Sequence, residues 1–263
     1  RAVGALAGAA RACRTVAGGA AAVLPPVTDD GVFLEEAAAS LLREGEKIVR
    51  FLSERAGTLF LDAFTPYLVA IPRMLDAGGG DGGGPSDLLL EPLGVLRVLL
   101  AECRAAAPGE MVADAVAAAV AGAVASEIWD QIRHNSATVD VGGAGPGRLR
   151  GDVREIFAVI FPDGADGGRG GRSVRRALEG ANFLAMEAEE LGRWQHAVRE
   201  LVRGALGIDM SSDERLPPAE AWIEDLGDGI QSRGQQMLEQ AGFHNMDFGD
   251  ACYLLDRMST DLW

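Results

Sequence analysis

Three short glycine runs interrupt this chain: Gly78–Gly84 (GGGDGGG), Gly142–Gly151 (GGAGPGRLRG) and Gly164–Gly171 (GADGGRGG). Glycine loses more conformational freedom on ordering than any other residue. Such runs therefore mark places where regular packing stops, or where a backbone must come close to something else. Between them the apolar residues recur at helical spacing, so the chain is punctuated into packets near residues 30–77, 86–134, 148–162 and 172–263.

Asp30–Arg55 gives the clearest pattern. Leu34, Leu41 and Ile48 stand seven apart, with Ala38, Gly45 and Leu52 on a second row, which together form one apolar stripe. Thr58–Ala77 continues in the same manner but holds Pro66 and Pro72, each of which removes a helical donor, so a kinked or broken helix is expected there. Pro92 within Asp87–Ala107 argues for a helix that begins near Glu91. Glu110–His134 is a long alanine-rich helix. Ala137–Val141 (ATVDV) is the clearest β-like piece, and Arg148–Phe161 is helical until Pro162-Asp163-Gly164 stops it. Arg172–Leu206 reads as one helix of about nine turns, and Ala219–Ala241 and Met246–Trp263 as two final helices.

These readings define an all-α fold: an irregular bundle of about eight helices with Gly-rich connecting loops and no significant sheet. Residues 1–28 form an Ala/Arg/Gly-rich segment without an acidic residue, read either as a transit-peptide remnant or as a first helix. Residues 29–263 are expected to be a single helical domain, with a sub-boundary in the 142–171 region left open.

The formal charge of −15 would repel a phosphate backbone and argues against nucleic acid and against an anionic membrane surface as partners. Lys47 is the one lysine among 24 basic residues, which reads as the codon bias of a GC-rich genome rather than as arginine-based recognition. Cys13, Cys103 and Cys252 are odd in number and far apart, so they form neither a disulfide framework nor a Cys-x-x-Cys motif and are expected as buried free thiols. Met111–Trp129 carries Asp114 and Glu127 within its apolar run and reads as a buried helix packed through small residues rather than as a membrane span.

Tests for chemistry turn on a few residues. Gly142–Leu149 aligns with the phosphate-loop pattern at its glycines, but Arg148 replaces the lysine and Leu149 the hydroxyl that would hold magnesium. Asp166–Ser173 fits at Arg172 and Ser173 but lacks the leading glycine. An anion at a helix N-terminus near Arg169, Arg172, Arg175 and Arg176 needs no motif and is kept as a minor alternative. Glu127, Asp130 and His134 share one helix face, yet the paired Glu-x-x-His signature of a bundle di-metal site occurs nowhere. His196 and His244 lie in separate segments, and no nucleophile elbow is present. No catalytic, metal or cofactor residue is therefore assigned.

The expected function is a non-catalytic helical structural or linker subunit, or an adaptor, of a larger multi-subunit assembly in an organelle (plastid or mitochondrion). Its expected partners are other protein subunits; no transmembrane segment of its own is expected, and a membrane complex is left open as the assembly. The alternatives are a helical small-molecule or cofactor-binding protein, including an enzyme without a recognisable motif, and a cytosolic trafficking or tethering module. Trp129, Trp194 and Trp222 are expected in the core, with Trp263 singled out as a terminal aromatic that needs a cover.

Overall fold

The computed structural model describes residues 31–76, 87–106, 110–134, 139, 143–162, 171–207, 219, 222–224 and 226–258, with the side chains of some residues inside these ranges left aside. Eight α-helices and no strand occur among them: α1 Gly31–Asp76, α2 Asp87–Ala106, α3 Glu110–His134, α4 Ala144–Ile160, α5 Gly171–Leu184, α6 Ala188–Leu206, α7 Asp228–Gln240 and α8 Phe248–Met258. The fold is an all-α bundle. Its core draws on every helix, from Phe60 and Leu89 through Val120, Ile156 and Val174 to Leu191, Leu238 and Leu254.

The spine is α1, a single helix of 46 residues and thus about 70 Å long. Of the kinked or broken helix expected, it overturns the break, because one helix runs through Pro66 and Pro72. Each proline removes one backbone bond and costs about 3 kcal/mol in a helix interior. The offset lies in Phe60, Phe64, Tyr67, Ile71 and Leu75, which repeat every three or four residues and are all buried. Burial of each such side chain contributes about 1.5–3 kcal/mol. Phe64 adds ring contacts at 5.4 Å to Phe60 and 5.3 Å to Tyr67. Pro66 itself is exposed, so the carbonyl it leaves free can reach water. The Leu34–Leu52 stripe lies on helical backbone, but its side chains are outside the described residues.

The most extensive partner of α1 is α3. Ala113, Val116, Ala117, Val120, Ala121, Val124, Ala125 and Ile128 line the buried side of α3, and their small size lets the two backbones approach. A Cβ placed on Gly57 of α1 would stand 3.8 Å from the carbonyl oxygen of Ala119. By length and composition the stretch Ala113–Arg133 could cross a membrane, and half of it is buried inside the bundle.

Helix α2 begins at Asp87 and carries Pro92 in its second turn, which corrects the expected start near Glu91. Pro92 is buried and sits early enough in the helix to interrupt little of the bonding ladder. A larger correction concerns the second glycine run. Gly145, Gly147 and Gly151 are helical, because α4 starts at Ala144 rather than Arg148. Gly145 is required for packing: a Cβ there would stand 2.0 Å from the Met74 carbonyl oxygen, so the first turn of α4 lies directly on the backbone at the end of α1. The glycines at 78–84 and 164–170 lie outside the described residues, as does all of the β-like 137–141 piece except Val139, which is irregular and buried.

The expected helix Arg172–Leu206 is two helices. The chain tightens where Ala185 and Met186 donate to the carbonyls of Ala181 and Phe183, and Glu187 is extended before α6. Neither glycine nor proline marks this break. It brings Trp194 back onto Phe183 with ring centroids 5.9 Å apart, and Phe183 also meets Phe243 edge-on at 5.3 Å. Gly207 ends α6 in the left-handed conformation. Ala219–Ala241 is shorter than expected: Trp222 and Ile223 donate back to the Ala219 carbonyl in a turn, and α7 begins only at Asp228. Likewise α8 starts at Phe248, two residues later than expected, where Asp247 accepts from the Asp250 N–H as an N-cap.

The contact at Gly145 sets a test. Gly145→Ala should lower unfolding stability by about 3 kcal/mol, since the clash is with backbone that cannot swing away. Gly147→Ala, with open space around it, should raise stability by about 0.5–1 kcal/mol. Chemical denaturation of the two variants decides the point, and equal effects would contradict the close approach.

Candidate functional site

The polar residues singled out in the sequence separate in the fold. Glu127 is half-buried and Asp130 exposed on α3, while the His134 side chain lies outside the described residues. Among the described residues no group of three His, Cys, Asp or Glu side chains is placed to hold a metal ion. His196 is exposed and lies 3.5 Å from Glu200 one turn later. His244 is exposed in the loop before α8. Cys252 is buried, and burial followed by the charges of Asp247 and Asp256 pushes its thiol well up; Cys13 and the Cys103 side chain are outside the described residues.

The arginines near the proposed anion position divide as well. Arg172 and Arg175 are exposed at the start of α5, and Arg169 lies outside the described residues. Arg176 turns inward to the C-terminal helices. Its Nε donates to Asp250 Oδ2 at 2.8 Å, its Nη2 donates to Asp250 and to Asp247, and its guanidinium lies 4.6 Å over the Trp129 ring. Asp250 is 1% exposed, and Arg133 approaches its other oxygen at 3.8 Å while covering the Tyr253 ring. Burial outweighs the arginines and raises the Asp250 carboxyl above its ordinary value; Arg176 opposes that shift.

One turn further along α5, Glu179 accepts from the backbone N–H groups of His244, Asn245 and Met246 and from Asn245 Nδ2 at 2.6 Å. Arg176 and Glu179 together fasten the α7–α8 loop to α5. These carboxylates and arginines are thus consumed in holding the fold.

Arg148, the residue in the lysine position of the phosphate-loop alignment, is half-buried in α4, and Leu149 is buried in the core. Arg148 acts on Tyr67 of α1. Burial, then the charge of Asp152, hold the Tyr67 hydroxyl well above its ordinary value, and Arg148 pulls the other way. Tyr67 and Asp152 are both fully buried, so this pair also belongs to the interior, with Arg148 at its edge.

Exposed large apolar side chains are spread along α1 at Phe51, Leu59 and Val69 and are concentrated on α2. Leu88, Leu90, Val95 and Val98 are 45%, 60%, 51% and 59% exposed, although α2 already packs on α1, α3 and α4. Single exposed aliphatics are ordinary on a protein surface, but four within eleven residues of one helix are a concentration, and Leu88, Val95 and Val98 of them share one side. The chain matches no family model, no curated protein and no solved structure. Geometry alone therefore nominates the α2 face as the candidate functional surface.

Sequence reading missed this face and the Arg176–Asp250 and Glu179 ties. The sign of the first was present: DLLLEPLGVLRVLLAEC has more large aliphatics than one buried face of a helix accommodates. The ties join residues more than sixty positions apart and leave no local signal. Trp129, Trp194 and Trp222 are buried as expected, and Trp263 lies outside the described residues.

Two tests follow from the buried groups. Arg176→Met leaves Asp250 buried without its main partner and should cost about 3 kcal/mol, whereas Asp250→Asn should cost less. The double variant should be more stable than the sum of the two losses predicts, as a denaturation double-mutant cycle would measure. Tyr67 is neutral and favoured in the fold below its ordinary value of 10.0, and this contribution is lost as pH rises above that value. Tyr67→Phe should therefore flatten the alkaline loss of stability, leaving the part that Cys252 contributes from 9.0 upward; an unchanged alkaline limb would contradict the placement of Tyr67.

Proposed function

We propose that this protein is a non-catalytic helical subunit or adaptor of a larger assembly that docks through the outer face of α2. The observation that carries the reading is the concentration of exposed Leu88, Leu90, Val95 and Val98 within eleven residues of α2, whereas the exposed Phe51, Leu59 and Val69 are spaced eight and ten residues apart along α1. Aliphatic side chains held on a rigid helix supply apolar area at little ordering cost, which suits the centre of a protein interface. An organellar setting is part of the proposal and rests on the acid-free, arginine-bearing composition of residues 1–28.

A photo-crosslinking amino acid placed at Val95 or Val98 in the full chain, in its native cell, tests the reading. The account expects one discrete adduct with another polypeptide from either position and none from Gln236, which is exposed on α7. Absence of an adduct at both α2 positions, with the protein migrating as a monomer, would refute docking through α2.

A further inference from the structure

Resting on the α2 docking reading, we infer that the occupant of this face is a basic amphipathic helix of another polypeptide. At about 100° per residue, the exposed residues of α2 sort into two edges on either side of the buried Leu89, Leu93, Leu96 and Leu100. One edge carries Leu88, Val95 and Val98 together with the exposed acids Asp87, Glu91 and Glu102. The cations of α2 near this face, Arg97 and Arg104, fall on the opposite edge, where Arg97 is held by Glu155 of α4 at 2.9 Å. The apolar edge is therefore bordered by acidic groups and by no cation of its own helix.

The shape of that edge suits a helix. Beyond Val98, on the row that leads towards Leu90 and Arg97, stand Gly94, Ala101 and Ala105, and the space beside Gly94 is open where a Cβ would project. A partner helix seated on Val95 and Val98 meets no Cβ at Gly94 on the far side of Val98. The edge runs for about 25 Å from Leu88 to Ala105, the length of a helix of several turns. Glu91 and Glu102 then lie at the two ends of the Val95–Val98 stripe, one turn before the first and one turn after the second, where cationic side chains of a partner helix can pair with them. A second copy of this chain would bring the same acids and a charge of −15 against them, and an anionic lipid surface meets the same repulsion.

The test titrates the full chain with fluorescent leucine–lysine peptide patterned as an amphipathic helix, followed by anisotropy. The comparison probes are a leucine–glutamate peptide of the same pattern, a scrambled leucine–lysine peptide and vesicles of zwitterionic phosphatidylcholine. The patterned cationic peptide should bind at least about tenfold more tightly than each comparison probe. Val95→Ser/Val98→Ser and Glu91→Gln/Glu102→Gln should each weaken it by about tenfold, and Glu239→Gln on α7 should not. All of these positions are exposed, so the variants should retain the helical circular dichroism of the parent. Equal binding of the scrambled peptide, no effect of either α2 pair, self-association through α2, or preference for vesicles would each overturn the inference. Loss of binding in the valine pair with indifference to peptide charge would overturn the cationic partner alone and leave α2 docking in place. The crosslink from Val95 addresses that docking separately.

Discussion

Everything in this bundle hangs on α1 remaining one helix across Pro66 and Pro72. A proline in a helix interior costs about 3 kcal/mol, and an isolated segment with two of them six residues apart would break. What holds it is the row Phe60, Phe64, Tyr67, Ile71 and Leu75, buried against the neighbouring helices, with the small-residue side of α3 as the main one. Because α1 reaches Asp76 as helix, its last turn presents a firm backbone on which Gly145 seats α4. Because α4 is seated there, Asp152 and Arg148 meet Tyr67 inside the core. A broken α1 would remove each of these contacts.

The second half of the chain is joined by a different kind of bond. α5 packs on α3 and α4, and its Arg176 and Glu179 reach across to the loop between α7 and α8. Buried ion pairs add little net stability, because desolvation consumes most of the Coulomb gain. They are intolerant of a missing partner, however, and so specify where α8 must sit. Glu179 works in the same way by satisfying three successive backbone N–H groups that would otherwise compete for water. The strongly acidic character of the protein is thus partly internal carboxylate that fixes the C-terminal helices and partly surface, of which the α2 edge is one part.

The all-α class was legible because the apolar residues follow a helical period almost everywhere, and α3 was readable to its ends. Local chemistry misled where packing overrode it. Pro66, Pro72 and Pro92 each suggested an interruption that burial of the adjacent aliphatics and aromatics outweighs. The run at Gly142–Gly151 looked like a loop because glycine disfavours helix, yet Gly145 is there to admit the Met74 carbonyl. The turn at Ala185–Glu187 had no glycine or proline to announce it, since it is set by the distant pairing of Phe183 with Trp194 and Phe243. The α2 face was legible only as a surplus of large aliphatics, since a helix apolar on most sides shows no preferred burial direction until its neighbours are known.

Native-state hydrogen exchange across α1 tests the central claim most directly. The account predicts that the amides from 60 to 75 on both sides of Pro66 and Pro72 exchange only with the global opening that also exposes α3. Rapid exchange confined to the residues around either proline, while α3 stays protected, would contradict a continuous α1 as the element on which the bundle is built.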